Sequence, residues 1–211
     1  MIFLLISKKQ LLHNFSYKTK YLIIEMSPIS VSMTDEKIMT GISKGNPDGV
    51  KILYERYHVK IYNFFLRMTF NREVSLDLMQ NVFYRLIKYR KSWKENHAFI
   101  PWIFRICKNE YNDYMKKEGR FLNNSVDLEE INESSAGIIT DPARSDQVKN
   151  LHNALARISP EHRKILLLSK YMKLKNREIA VILESNENAV KGMIFRAMCK
   201  LRKVYFKLDK T

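Results

Sequence analysis

Apolar residues in this chain recur every three or four positions, and no stretch alternates apolar and polar as a half-buried strand would. A chain patterned in this way packs helix on helix. The clearest repeat runs Val190, Ile194, Ala197, Leu201 and Val204, which is one face of a single long helix. Just before it, Ile179, Ala180 and Leu183 form the inner face of a shorter helix, with Ala180 small where two helices cross closely. A short helix, a tight turn through Glu184 to Asn186 and a long helix make a helix-turn-helix.

The same period predicts further helices upstream. Thr34, followed by Asp35 and Glu36, is a helix start, and Gly41 and Gly45 mark its end. Asn46 and Pro47 open a second helix, striped by Val50, Leu53, Tyr54, Tyr57, Ile61, Phe64, Phe65 and Met68. Asn71 caps a third, striped by Val74, Leu78, Val82, Leu86 and Ile87. After the polar loop "KSWKENH", a fourth helix runs from about Ala98 to Lys117, its buried side holding Phe99, Ile103, Ile106, Tyr111 and Tyr114. Beyond residue 147, Leu151, Leu155 and Ile158 mark another helix, and Ser159-Pro160-Glu161 opens the next by cap, first-turn proline and acid.

One segment breaks the pattern. "GRFLNNSVDLEEINESSAGIITDPARSDQ", residues 119–147, has six acidic residues against two basic ones and lacks a helical repeat, so it reads as a linker. On either side the chain is basic: residues 161–211 carry thirteen Lys and Arg against five Asp and Glu, and the formal net charge is +15. The predicted class is all-α, two small helical domains at 34–118 and 148–208 joined by a flexible acidic linker. Residues 1–33 show no periodicity. They read as an extension that is disordered or a start-site artefact, with Met26 and Met33 as alternative starts.

Such a charge points to a polyanionic partner, most simply nucleic acid. Cys107 and Cys199 form no paired-thiol motif, so both read as free thiols, with neither a disulfide scaffold nor a metal site expected. The opening "MIFLLI" precedes its lysines, the wrong order for a signal peptide, and is far too short to span a membrane. A phosphate-binding glycine loop is missing and the histidines at 13, 58, 97, 152 and 162 are scattered, so neither an enzyme nor a cofactor is expected.

With these residues in place, the chain resembles a bacterial extracytoplasmic-function (ECF) sigma factor of the sigma-70 family. "GNPDGVKILYERYHVKIYNFFLRM", "DLMQNVFYRLIKYRKSW" and "HAFIPWIFRICKNEYNDYMKK" resemble sigma region 2. "ALARISPEHRKILLLSKYMKLKNREIAVIL" and "NAVKGMIFRAMCKLRK" resemble region 4, and no long region 3 lies between. The resemblance implies a cytoplasmic protein that binds core RNA polymerase and promoter DNA and takes no small-molecule substrate. An anti-sigma factor is a further partner open to such a protein. Region 2 would contact the polymerase clamp and open the −10 element; region 4 would bind the −35 element and the polymerase flap. The alternative is a stand-alone helix-turn-helix regulator, which would have no use for "DLMQN" or the aromatic block at 93–104.

The resemblance also assigns residues. Asp77, Gln80 and Asn81 match the clamp contact, although the family often has an acid where Asn81 stands. The loop "KSWKENHAF" takes the place of the −10 reading loop, offering Trp93, Lys94, Asn96 and His97, with Trp93 as able to brace the loop as to touch DNA. Arg105, Lys108, Asn109 and Asn112 lie on the polar side of the next helix, where they would hold the duplex edge, whereas Trp102 beside Pro101 reads as core. In the helix-turn-helix the candidates are Asn186, Asn188, Lys191, Phe195 and Arg196. The family usually has Ser-Arg where this chain has Gly192-Met193, and often His at 195, so this helix is expected to anchor by phosphate contacts and shape more than by bidentate base readout. Two elements about 25 base pairs apart would separate the readers by roughly 85 Å, and the segment 119–147 reaches about 100 Å when extended.

Overall fold

The structure, a computed structural model, describes residues 33–121 and 142–208. The expectations for residues 1–32, and for most of the acidic segment, lie outside the described residues. The described residues form eight α-helices and no strand.

Four helices make the first half: α1 (Asp35–Ser43), α2 (Asp48–Thr69), α3 (Arg72–Lys88) and α4 (Phe99–Phe121). Thr34 caps α1, its side chain accepting from Lys37 N–H, and Asn71 caps α3 by accepting from Val74 N–H. Asn46 caps one residue later than its sequence position suggests: its side chain accepts from Asp48 N–H, and Pro47 sits at the cap rather than inside the helix. Gly45 turns the chain at φ 107°, and Gly49 lets α1 and α2 close together. A Cβ on Gly49 would stand 2.8 Å from Ile38 Cγ2. The first turn of α4 takes its cap from a distant residue, Phe99 N–H donating to Glu36 Oε1 at 3.0 Å.

The core of this half is aromatic. Phe64, Phe65, Phe99 and Phe104 are fully buried with Leu53, Ile61, Met68, Leu86 and Ile103. The predicted stripes hold, with three departures. Ile87 is exposed, while Met79 and Phe83 take buried places on α3, because its inner face is rotated toward both α2 and α4. Trp102, Phe104 and Cys107 widen the buried side of α4 beyond the single predicted stripe. That helix also runs to Phe121, past its predicted end at Lys117.

The second half holds α5 (Pro142–Arg157), α6 (Pro160–Leu166), α7 (Asn176–Leu183) and α8 (Glu187–Leu208). Pro142 lies inside the segment read as linker, so the helix claims its last residues. Ser159 caps α6 as expected, accepting from His162 N–H. A π-helical turn, Leu167–Tyr171, then extends α6, with Met172 N–H donating to Leu167 carbonyl at 2.8 Å. Glu178 reaches back to Lys175 N–H at 2.7 Å and fixes the start of α7. The turn into α8 passes through Glu184 in the left-handed region, at φ 55°. Ile182, not Leu183, joins Ile179 and Ala180 inside, and Ala154 and Ile158 are buried on α5 and in the turn after it, where Leu151 faces out.

The two halves also pack on each other. Helix α7 lies against α4, and α6 touches α2. At the join, the Arg163 guanidinium donates to the carbonyls of Leu155, Ala156 and Ile158 at the end of α5, and to Met68 carbonyl at the end of α2.

Candidate nucleic-acid interface

Helix α3 turns one face to α2 and α4 and the other to solvent. Asp77 is exposed there, and Gln80 and Asn81 are half-buried. The same outer face carries Leu76, Tyr84 and Ile87, all exposed. The sequence pattern places Ile87 in the core stripe and does not mark Leu76 or Tyr84. Their signal was a second apolar line on α3, at 76, 84 and 87, offset from the core stripe. An exposed apolar line with amides and a carboxylate along it is a protein-docking chemistry.

The loop after α3 divides in two. Trp93 turns inward, only 6% exposed, its indole N–H donating to Thr40 Oγ1 at 3.0 Å and its ring edge-on to Trp102 at 5.6 Å. Of its two sequence roles the structure gives it the bracing one. Trp102 is core, as expected. Lys94, Asn96 and His97 are exposed on the loop that Trp93 pins down.

On α4, Arg105 and Asn109 are exposed, while Lys108 and Asn112 are half-buried. Arg105 and Asn109 join Tyr89, Ser92, Trp102 and Arg85 around a cavity of about 150 Å³. Arg85 is held in its wall by Glu110 at 2.5 Å and Asp113 at 2.8 Å. Burial lowers its guanidinium pKa, but the hydrogen bond to Asp113 and the charges of Glu110 and Asp113 outweigh it and push the pKa up. An aromatic wall, a cation and an amide around so small a space suit an unstacked base.

The third cluster lies on the helix-turn-helix. Asn186 uses its side-chain oxygen on Ala189 N–H at 2.8 Å, so it caps α8. Asn188, Lys191 and Arg196 are exposed, and Phe195 is 69% exposed rather than packed on a neighbouring helix. Gly192 gives the Arg196 guanidinium room to lie back along the helix, where a Cβ would stand 3.2 Å from it. Lys191, Phe195 and Arg202 border a groove of about 570 Å³ whose far side includes Lys170, Leu174 and Asn176. Lysine and arginine rim it, and it contains no acid.

Among the described residues no group of His, Cys, Asp and Glu is placed to hold a metal ion, and no helix is long and apolar enough to cross a membrane. The Cys107 thiol is fully buried, which pushes its pKa well up, and Cys199 is exposed.

The three clusters lie on an all-helical protein in two parts, with exposed basic residues on both and an exposed apolar line on the first. Residues 53–121 match the family model for sigma-70 region 2, and residues 149–201 match that for sigma-70 region 4. Together these matches take in more than half of the chain. It belongs to the sigma-70 family, in its ECF group. The ECF RNA polymerase sigma factor SigM of Bacillus subtilis (strain 168) is 27% identical over 155 residues, covering 72% of this chain and 93% of that protein. The ECF RNA polymerase sigma-E factor of Escherichia coli (strain K12) is 27% identical over 178 residues, covering 80% and 93%. Two solved structures share the fold. CnrH in complex with the cytosolic domain of CnrY has a TM-score of 0.61 at 19% identity, covering 81% of this chain and 96% of that one. RpoE with the anti-sigma factor NepR, from Bartonella quintana, has a TM-score of 0.61 at 20% identity, covering 73% and 94%.

Proposed function

We propose that this chain acts as an ECF sigma factor through two weak readers joined by the acidic segment, neither of which is specific until core RNA polymerase holds both. It binds core RNA polymerase and directs promoter recognition, strand opening and initiation. The observation that carries this is the order of the two family matches, region 2 then region 4, with the acidic segment between them. A stand-alone regulator would not need the first.

The division of labour follows the exposed chemistry. Residues 34–118 form the unit for polymerase and the −10 element, 119–147 the linker, and 148–208 the unit for the −35 element. Asp77, Gln80 and Asn81 contact the clamp, with Leu76, Tyr84 and Ile87 supplying apolar area around them. Lys94, Asn96 and His97 meet the opened strand; Arg105, Lys108, Asn109 and Asn112 hold the duplex edge. The cavity between Tyr89 and Arg105 receives one unstacked base, a contact worth about 1–3 kcal/mol. Lys191 and Arg196 hold phosphates at −35, Phe195 meets a thymine methyl and Asn188 a base edge, while Asn186 acts through the helix cap.

The protein works in the cytoplasm and catalyses no reaction of its own. An anti-sigma factor fits the docking faces left open, and both fold relatives described above were solved with a protein bound. The deciding experiment is reconstitution. Core polymerase with this chain should start transcription from a subset of genomic fragments that core alone ignores, and the chain alone should footprint none of them at physiological salt. Tight footprinting by the chain alone would favour the stand-alone regulator.

A further inference from the structure

The loop that carries Lys94, Asn96 and His97 takes its shape from α1, far upstream in the chain. At its start, the Trp93 indole N–H donates to Thr40 Oγ1 at 3.0 Å, across 53 residues. At its end, Phe99 N–H, the first of α4, donates to Glu36 Oε1 at 3.0 Å, across 63 residues. Between them Lys44 pairs with Glu95 at 2.8 Å. Glu36, Thr40 and Lys44 follow one another at helical spacing, so they stand in a row along one face of α1 and its C-cap.

The three contacts differ in weight. Trp93 and Phe99 are buried, and a buried N–H needs an acceptor. The Glu36 carboxylate also brings negative charge to the positive end of α4. Lys44 and Glu95 are 71% and 61% exposed, so water screens their pair and it adds little. Helix α1 is itself fixed, as a brace must be. Ile38, Met39 and Ile42 are buried on another of its faces. Arg56 of α2 pairs with Asp35 at 2.6 Å, and the Tyr57 hydroxyl donates to the same carboxylate.

From the loop the contacts continue into the small cavity. Trp93 meets the Trp102 ring edge-on at 5.6 Å, and Trp102 lines the cavity beside Tyr89, Ser92 and Arg105. The turn Arg90–Ser92, which supplies Ser92, packs on α1 as well. Loss of the Thr40 oxygen would leave a buried indole N–H unpaired, and the ring would turn toward water to satisfy it. Trp102 would then lose its neighbour, and the cavity its fixed wall.

We propose that Glu36 and Thr40 are positioning residues of the −10 reader, acting on DNA only through the loop and the cavity that they hold in shape. The proposal rests on the function given above, in which the cavity takes one unstacked base.

The test uses the full chain bound to core polymerase, on a promoter fragment that the reconstituted enzyme transcribes. The fragment is mismatched across the −10 element, so that the strands are already apart, and single abasic sites are placed along its non-template strand. Wild type should lose at least about fivefold in affinity at one abasic position, the lower end of what one stacked base is worth. Thr40→Val keeps the side-chain shape and removes the acceptor. It should lose a similar factor on the intact strand, yet match wild type on the strand lacking that base. Thr40→Ser, which restores the oxygen, should return to wild type. Glu36→Ala should behave like Thr40→Val, and Glu36→Gln, which keeps an acceptor for Phe99 N–H, should recover most of the affinity. A purely structural role predicts another pattern, because loss of folded protein lowers binding by one factor on every template. That pattern, or a Thr40→Val complex indistinguishable from wild type, would overturn the inference. A wild-type complex indifferent to every abasic position would overturn the cavity assignment first, and the inference with it.

Discussion

Lys191 and Phe195 lie one turn apart on α8, both exposed, and they should fail in different ways. An ammonium on a helix flank meets phosphate. Lys191→Ala should therefore weaken holoenzyme binding almost equally across −35 variants and reduce the salt slope by about 0.9. Phe195→Ala removes no charge and buries nothing, so its melting temperature should not change. It should relax preference at one base position by about 1–3 kcal/mol. Equal responses across a panel of −35 substitutions would remove this division. Trp93 shows why such side chains are hard to place from sequence. An aromatic residue in a reading loop has the same letter whether it stacks on a base or on Trp102. Only the indole bond to Thr40, 53 residues away, decides it. Trp93→Ala should cost about 3–5 kcal/mol of stability by calorimetry, whereas His97→Ala, in the exposed part of the loop, should stay within about 0.5 kcal/mol. Asn186 stands among the sequence candidates for reading DNA, and its bond to Ala189 N–H makes it a helix cap.

At the level of the element, periodicity carries most of the fold. The stripes of α2 and α8 and the caps at Thr34, Asn71 and Ser159 follow from local rules that need no partner. Helices with two apolar lines are less legible, because a single stripe is the simplest reading of each. On α4 both lines are buried, since the helix is covered by α3 on one side and α7 on another. On α3 the second line, Leu76, Tyr84 and Ile87, faces solvent. Burial at a partner is the economical explanation for exposed apolar residues beside Asp77 and Gln80. Leu76→Ser and Tyr84→Ser, like Asp77→Ala and Gln80→Ala, should weaken binding to core polymerase while leaving the melting temperature within a few degrees. Tyr84 should be the largest of the four, since aromatic anchors dominate such interfaces. A pull-down titration in which all four match the wild type would remove the clamp assignment.

For the molecule as a whole, the join between the halves is what the sequence conceals. Arg163 and Met68 are 95 residues apart, and a guanidinium that binds only carbonyls leaves no complementary charge to search for. Charge counting even suggests the opposite, since both halves are basic and should repel. The structure answers with groups that local rules cannot pair: a helix end, an aromatic ring and a single carboxylate. One of these groups titrates near neutrality. His152 faces Phe70 and Arg67 of α2 and Arg163 of α6, and burial, reinforced by the two guanidinium charges, lowers its pKa. The folded state therefore favours the neutral imidazole. Its contribution is complete above the ordinary histidine pKa of about 6.5 and is lost as pH falls below that value, because the unfolded form then takes up a proton that the folded form resists. Glu184 stays ionised across this window, its pKa being lowered from an already acidic value, so the contact with Lys108 does not change. The stability of the full chain to urea should fall from pH 7.5 to 5.5. His152→Phe keeps an aromatic edge against Phe70 without a titrating group and should abolish that fall. A stability that drops equally in the variant would place the titrating group elsewhere.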